Sequence, residues 1–369
     1  MACFLTILAL GFFWTVAALS GQSTQSSQPA PSASAPKTAE QVYKNIQVLK
    51  GIPADQLVPT MTFITASLGV DCEFCHAEQR EKDDKKTKLK AREMIQMQMA
   101  INKENFEGRN QVTCNSCHQG RHEPIAIPVI ADEEPKPEKP ETGAKPEEAP
   151  TADQLINKYV QALGGAEVLE KITSRVEKGT ISIANGPQFP IDLFAKAPNR
   201  RMSYMHTPRG DSITAFDGTT AWLSSPGAPL NKLDPANSEA VKLDAEFNFA
   251  LHIKQIFTQL HVGQPEKIRY REANVILALQ RGQPPVRLYF DKETGLLVRL
   301  VRYVETALGR LPTQIDYADY RDFGGVKIPY RWTIARPPRG RFTIQVDQVQ
   351  QNVPIDDEKF AVPMSASPQ

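Results

Sequence analysis

The pentapeptide Cys72-Glu-Phe-Cys-His76 recurs as Cys114-Asn-Ser-Cys-His118, and this duplication constrains the chain more than any other feature. Cys3 is the one further cysteine, and it lies in an apolar leader. Three chemistries use a CxxC pair. A dithiol redox couple wants one such motif beside a βαβ pattern, and has no use for a histidine at the same place twice. Two knuckles 42 residues apart (114 minus 72) could close one zinc site, but four thiolates would complete it and leave His76 and His118 without a role. Exported, oxidising space is also an awkward place for a thiolate cage. Covalent haem employs every residue of the repeat. The two thiols add across the vinyl groups, the two intervening residues let both sulfurs reach one porphyrin edge, and the adjacent imidazole falls beneath the iron. The expectation is two covalently attached haem c groups, held by Cys72, Cys75, Cys114 and Cys117, with His76 and His118 as iron ligands.

What fills the sixth position of each iron separates an electron carrier from an enzyme, because a Met thioether closes the site and raises the potential whereas an open position invites chemistry. Met61 is the sole methionine between Met1 and Cys72, on an apolar stretch that reads as helix up to Gly69. Before the second motif, the helical run KLKAREMIQMQMAIN carries Met94, Met97 and Met99, of which Met94 and Met97 share a face. Such methionines serve either as core filling or as axial ligands.

VYKNIQVLKGIPADQLVPTMTFITASLGVDCEFCH, followed by AREMIQMQMAIN and VTCNSCHQG, resembles the cytochrome c subunit of bacterial photosynthetic reaction centres over about residues 40–122. In that family the axial Met sits on the helix preceding each CxxCH. The resemblance therefore implies Met61 for the first haem and Met94 for the second, with Met97 as the runner-up. The family's photosynthetic subunit carries four haems and a lipid-anchoring cysteine. This sequence has two motifs and no evident anchoring cysteine. It reads as a dihaem electron-transfer protein rather than an enzyme, exchanging electrons with donor and acceptor redox proteins of the periplasm or envelope. The alternatives are a dihaem redox enzyme such as a peroxidase and, further off, a zinc-binding envelope protein.

MACFLTILALGFFWTVAALSGQSTQSS begins with an apolar stretch from Ala2 to Leu19 and then turns small and polar. This reads as a signal peptide (1–21) that exports the chain, although Lys or Arg before the apolar run is missing. About 18 apolar residues would also serve as an uncleaved membrane anchor. Residues 22–39 are expected to be disordered. A net charge of +1 gives no global argument for nucleic acid or a membrane surface, and no nucleic-acid partner is expected. The segment EQREKDDKKTKLKARE, with seven basic and five acidic residues, reads as a solvated connecting loop rather than a docking patch. His122 reads as a surface histidine.

Residues 123–150 are dense in Pro, Glu and Lys, a composition that buries too little apolar surface to offset ordering. They read as a stiff linker separating two independent units. The second unit, 151–365, opens with a helix whose Leu155, Ile156, Tyr159, Val160 and Leu163 recur at helical spacing. Short alternating stretches broken by DG, ETG and GG turns follow, with one longer helical stretch near 238–260. YFDKETGLLVRL and DYADYRDFGGVKIPYRW resemble the curved half-barrels of the outer-membrane lipoprotein-sorting carriers, whose concave face holds acyl chains. That resemblance implies a lipid or membrane partner, while the inward apolar residues fit an ordinary core equally. His206, His252 and His261 lack ligand spacing, and no catalytic residue is assigned. The fold class expected is α+β multidomain: an N-terminal, mainly helical dihaem domain and a C-terminal antiparallel β half-barrel with packed helices.

Overall fold

In the computed structural model, residues 36–124, 149–184, 186–233, 235–338 and 340–363 are described. The leader, most of the segment expected to be disordered and the linker core (125–148) lie outside them. The helices are α1 (Ala39–Val42), α2 (Leu57–Leu68), α3 (Cys72–Cys75), α4 (Lys86–Asn105), α5 (Cys114–His118), α6 (Ala152–Leu163), α7 (Ala166–Glu170), α8 (Pro235–Ala245) and α9 (Phe249–Ile256). The strands are β1 (Ser174–Ile183), β2 (Gln188–Lys196), β3 (Arg200–Thr207), β4 (Gly210–Phe216), β5 (Ala221–Ser224), β6 (Asn231–Lys232), β7 (Gln259–Val262), β8 (Glu266–Ile268), β9 (Arg271–Leu279), β10 (Val286–Asp291), β11 (Leu297–Thr306), β12 (Gly309–Phe323), β13 (Val326–Arg336) and β14 (Gly340–Gln351).

Helix α6 starts at a reciprocal cap, in which the Thr151 hydroxyl accepts from the Gln154 amide (3.2 Å) and the Gln154 side chain accepts from the Thr151 amide (2.8 Å). Its five periodic residues, Leu155 to Leu163, are all buried. They face one antiparallel sheet with strand order β6-β5-β4-β3-β2-β1-β14-β13-β12-β11-β10-β9-β7, and β8 pairs off β9. A sheet of this width curls to cover its apolar face. Helices α6 and α9 fill that face, sharing one core with Leu193, Leu288, Ile328 and Trp332. The fold is α+β, with helices preceding a large open antiparallel sheet. The helical stretch expected near 238–260 breaks into α8, α9 and β7, because the Phe247 amide donates to Pro198 O (3.1 Å) instead of continuing a helix.

The N-terminal arm is a second, smaller packing problem. Its core holds seven buried residues, Ala39, Leu49, Leu57, Phe63, Ile64, Ile95 and Leu308, of which Leu308 comes from the turn between β11 and β12. The chain is tied in from Lys37: Lys37 O accepts from the Ala54 amide and the Ala39 amide donates to Ile52 O, both at 2.8 Å. The arm and the sheet also meet at this hairpin. The Ala307 amide donates to the Thr60 hydroxyl (3.4 Å), Gln98 Nε2 to Leu308 O (3.1 Å) and Asn110 Nδ2 to Ala307 O (3.3 Å). At Gly309 a side chain would meet the Phe63 ring at 2.5 Å, so the hairpin tip approaches α2 as closely as glycine permits. Among the described residues, no helix is long and apolar enough to cross a membrane.

Candidate haem-binding site

Both pentapeptides fold as single helical turns entered from extended residues, Asp71 and Thr113. The histidines follow in matching states. His76 Nδ1 lies 3.0 Å from Arg80 O, and His118 Nδ1 lies 3.0 Å from Arg121 O. A carbonyl only accepts, so each Nδ1 carries the proton and each Nε2 keeps its lone pair for a metal. Both rings are half-buried.

Side chains that the sequence reading did not single out hold these turns. Arg80 O also accepts from Lys88 Nζ (2.8 Å), and Lys88 is buried. Asp83 pairs with Arg92 (2.8 Å) and Lys88 (3.2 Å) and accepts from Asn45. These bonds, that from Arg92 foremost, hold its carboxyl well below the usual range. The charged run 78–93 is therefore only in part a solvated loop, since its central charges fasten the chain that orients His76. On the second turn, buried Asn102 donates to Val112 O (2.6 Å) and accepts from the amides of Gln111 (3.1 Å) and Val112 (3.0 Å). Buried Gln98 accepts from Cys114 Sγ (3.3 Å) while donating to Leu308 O. The signal for these residues was a polar side chain at a helix position that packing, not periodicity, turns inward.

The four thiols are free. Among the described residues, no three His, Cys, Asp or Glu stand together as one metal site. Burial pushes the Cys114 thiol up to about 11 and raises Cys75 as well, opposite to what a dithiol exchanger needs.

The strongest packing among these helices is crossed. Helix α2, which carries Met61, packs against α5, and α4, which carries Met94 and Met97, packs against α3. Gly69 makes the first contact feasible: it ends α2 in the left-handed region (φ 67°), a Cβ there would lie 2.0 Å from Gly120 O, and the Gly120 amide donates to Ser67 O at 2.8 Å. Met61 is half-buried against the arm core, while Met94, Met97 and Met99 are 36%, 47% and 48% exposed. Phe74, inside the first motif, is exposed too, and its ring tilts against His122. His122 itself is exposed and stands beside Glu123. His206 bonds Asp211 and His252 bonds Glu246, so neither is a free ligand.

Thiols at both turns, a free Nε2 beside each pair, and apolar side chains left outward around them fit a covalently held haem at each pentapeptide. The family model described as photosynthetic reaction centre cytochrome C subunit matches residues 15–162. The chain is 35% identical over 136 residues to the photosynthetic reaction center cytochrome c subunit of Thermochromatium tepidum, covering 35% of this chain and 32% of that protein. It is 36% identical over 101 residues to the corresponding subunit of Roseobacter denitrificans, covering 24% and 27%. The chain thus spans about a third or less of the length of these relatives. Two solved structures are similar to the sheet region at low identity. A LolA superfamily protein from Nitrosomonas europaea is 12% identical, with 58% of this chain and 99% of that chain covered and a TM-score of 0.41. An outer membrane lipoprotein-sorting protein domain from Vibrio parahaemolyticus is 11% identical, with 51% and 89% covered and a TM-score of 0.39.

Proposed function

We propose that this chain is an exported c-type cytochrome with two covalent haems, which passes electrons between redox proteins of the periplasm or envelope and is not an enzyme. The observation that carries the reading is the duplicated CxxCH in which each histidine spends its Nδ1 proton on a backbone carbonyl. When bound, haem supplies an iron that cycles between ferrous and ferric states. The protein's part is to anchor and orient. Cys72 and Cys75, and Cys114 and Cys117, would fix the two porphyrin edges. Arg80 O and Arg121 O would hold His76 and His118 in register with the metals.

Met61 and Met94 are the proposed sixth ligands, with Met97 the substitute for Met94. The packing supports this pairing: α2 packs mainly on the CxxCH turn of the second repeat and α4 on that of the first, so each Met helix would be left to serve the haem of its own repeat. The outward methionines of α4 favour the same view, because an apolar face on a polar helix implies something that covers it. A lipid or membrane partner of the sheet domain is part of the proposal, as are the signal peptide and the linker between the two regions.

Pyridine haemochrome of protein matured in an expression host with a cytochrome c assembly system should count two haems per chain. The weak near-infrared band of ferric Met-ligated haem should be halved by Met61→Ala and by Met94→Ala. Free binding of carbon monoxide to the reduced wild type would instead show an open iron and favour the peroxidase-like alternative. Mass spectrometry showing no added tetrapyrrole would overturn the haem reading outright.

A further inference from the structure

The two pentapeptides repeat in sequence, yet the side chains that fasten them differ in charge. Arg80 O, the carbonyl that receives the His76 Nδ1 proton at 3.0 Å, also accepts from Lys88 Nζ at 2.8 Å. The Lys88 ammonium spends its other protons on Lys82 O (2.6 Å) and on Asp83 (3.2 Å). A second cation, Arg92, bonds the same carboxylate at 2.8 Å. Lys85 Nζ donates to Glu73 O, inside the pentapeptide itself. The Lys88 and Arg92 side chains are 10% and 12% exposed against 32% for Asp83, so the enclosed group carries one surplus positive charge. Asp71, Glu73, Glu78, Glu81 and Asp84 of the same stretch are exposed, as are Arg80, Lys82 and Lys86, and water screens them.

The second turn is fastened by neutral groups. Among the described residues, no side-chain donor other than His118 Nδ1 (3.0 Å) reaches Arg121 O. Buried Gln98 and Asn102 meet Cys114 and Val112 O through uncharged amides. The cations near this turn, Arg109 and Arg121, are exposed, as is His122, and Arg109 stands 3.5 Å from Glu107.

Two donors on one carbonyl oxygen compete for its lone-pair density, so Arg80 O is the poorer acceptor and leaves His76 less electron-rich than His118. An iron held by a less basic imidazole is easier to reduce. The enclosed cation acts in the same direction, because a ferric centre carries one more positive charge than a ferrous one and burial preserves the repulsion. We propose that Lys88 is a positioning residue that raises the reduction potential of the first site, Cys72 to His76, above that of the second. An electron held by the pair then resides mainly at the first site. The inference rests on the reading of two covalent haems and adds to it an order of potentials and the residue that sets it.

Spectroelectrochemical titration of the full-length, haem-loaded protein decides it, once pyridine haemochrome has counted the haems. A count below two would overturn both readings, whereas two haems without the shifts below would overturn this one alone. The wild type should show two separate one-electron steps. Lys88→Met should move the upper step down by about 59 mV or more, a tenfold change in the reduced-to-oxidised ratio at fixed potential, and leave the lower step in place. Asp83→Asn strips the counter-charge from Lys88 and Arg92 without touching Arg80 O, and it should move the same step up by a smaller amount. Opposite signs separate charge from mere loosening, since water admitted by a loosened turn would lower the potential in both variants. Should Lys88→Met fail to load haem, the upward shift in Asp83→Asn still decides. Coincident steps in the wild type, equal shifts of both steps, a shift confined to the lower step, a downward shift in both variants, or no shift would overturn the proposal.

Discussion

Helices α6 and α4 show how differently the two regions of this molecule are held. Helix α6 has 12 residues and buries five apolar side chains in the core of the curved sheet. Helix α4 has 20 residues, and Ile95 is the one apolar side chain among those it buries, beside Lys88, Gln98 and Asn102. Of the ten exposed large hydrophobic residues among those described, eight lie between Val42 and Met99, in the arm. The sheet closes its own core. The arm takes Leu308 from the sheet and leaves Phe74, Leu89, Met94 and Met97 outward, around the very turns that carry the duplicated motif. A region so arranged owes its order to what it docks on and to what covers it, which is the physical sense in which a prosthetic group can serve as core.

Leu308→Asp should have the largest effect and should fall on the arm alone. It places a carboxylate without a partner where the arm and the hairpin meet, at an expected cost of about 3 to 5 kcal/mol. The arm should then be cut readily by protease across residues 37–124, while the sheet stays protected and keeps its far-ultraviolet signature. Equal protection of the arm in variant and wild type would mean that the hairpin tip does not support it.

Gln98→Ala should act in the same place and less strongly. It leaves buried Leu308 O without its partner, for about 1 to 2 kcal/mol. A loss confined to the arm, seen as a lower denaturant midpoint at the haem band with the sheet's midpoint unchanged, would support the docking. Equal losses at both probes would show that the regions unfold as one.

How much of this was legible in the sequence follows from what kind of force sets each feature. The sheet domain was readable because its strands alternate and α6 repeats at helical spacing, so burial and sequence carry the same period. The two CxxCH turns stood out because covalent attachment chemistry demands fixed residue types at fixed spacing. The polar fasteners were not. Gln98, Asn102, Lys88 and Asp83 gain their roles only when distant segments meet, and a buried amide in a charged helix looks in sequence like a solvated one.

The smallest expected effects concern pH, and they separate the regions by sign. Asp83 has a depressed pKa, chiefly through its bond to Arg92, so its contribution to the arm is complete above the ordinary carboxylate range and is lost only as pH falls through the lowered value. Asp83→Asn should therefore weaken the arm at neutral pH and flatten its response between about pH 4 and pH 2. His206, on a strand of the sheet, has a raised pKa because Asp211 (2.8 Å) and then Asp192 (3.5 Å) favour its charged form. Its contribution is complete below the ordinary histidine value near 6.5 and is lost as pH rises through the raised one. Screening by solvent at this partly exposed site limits it to about 0.5 kcal/mol. Denaturant midpoints read at the sheet should fall slightly from pH 6 to pH 8 in the wild type and not in His206→Gln, while midpoints read at the arm stay level across that interval. An arm that weakens with the sheet as pH rises would join the two regions into one titrating unit and end the contrast between them.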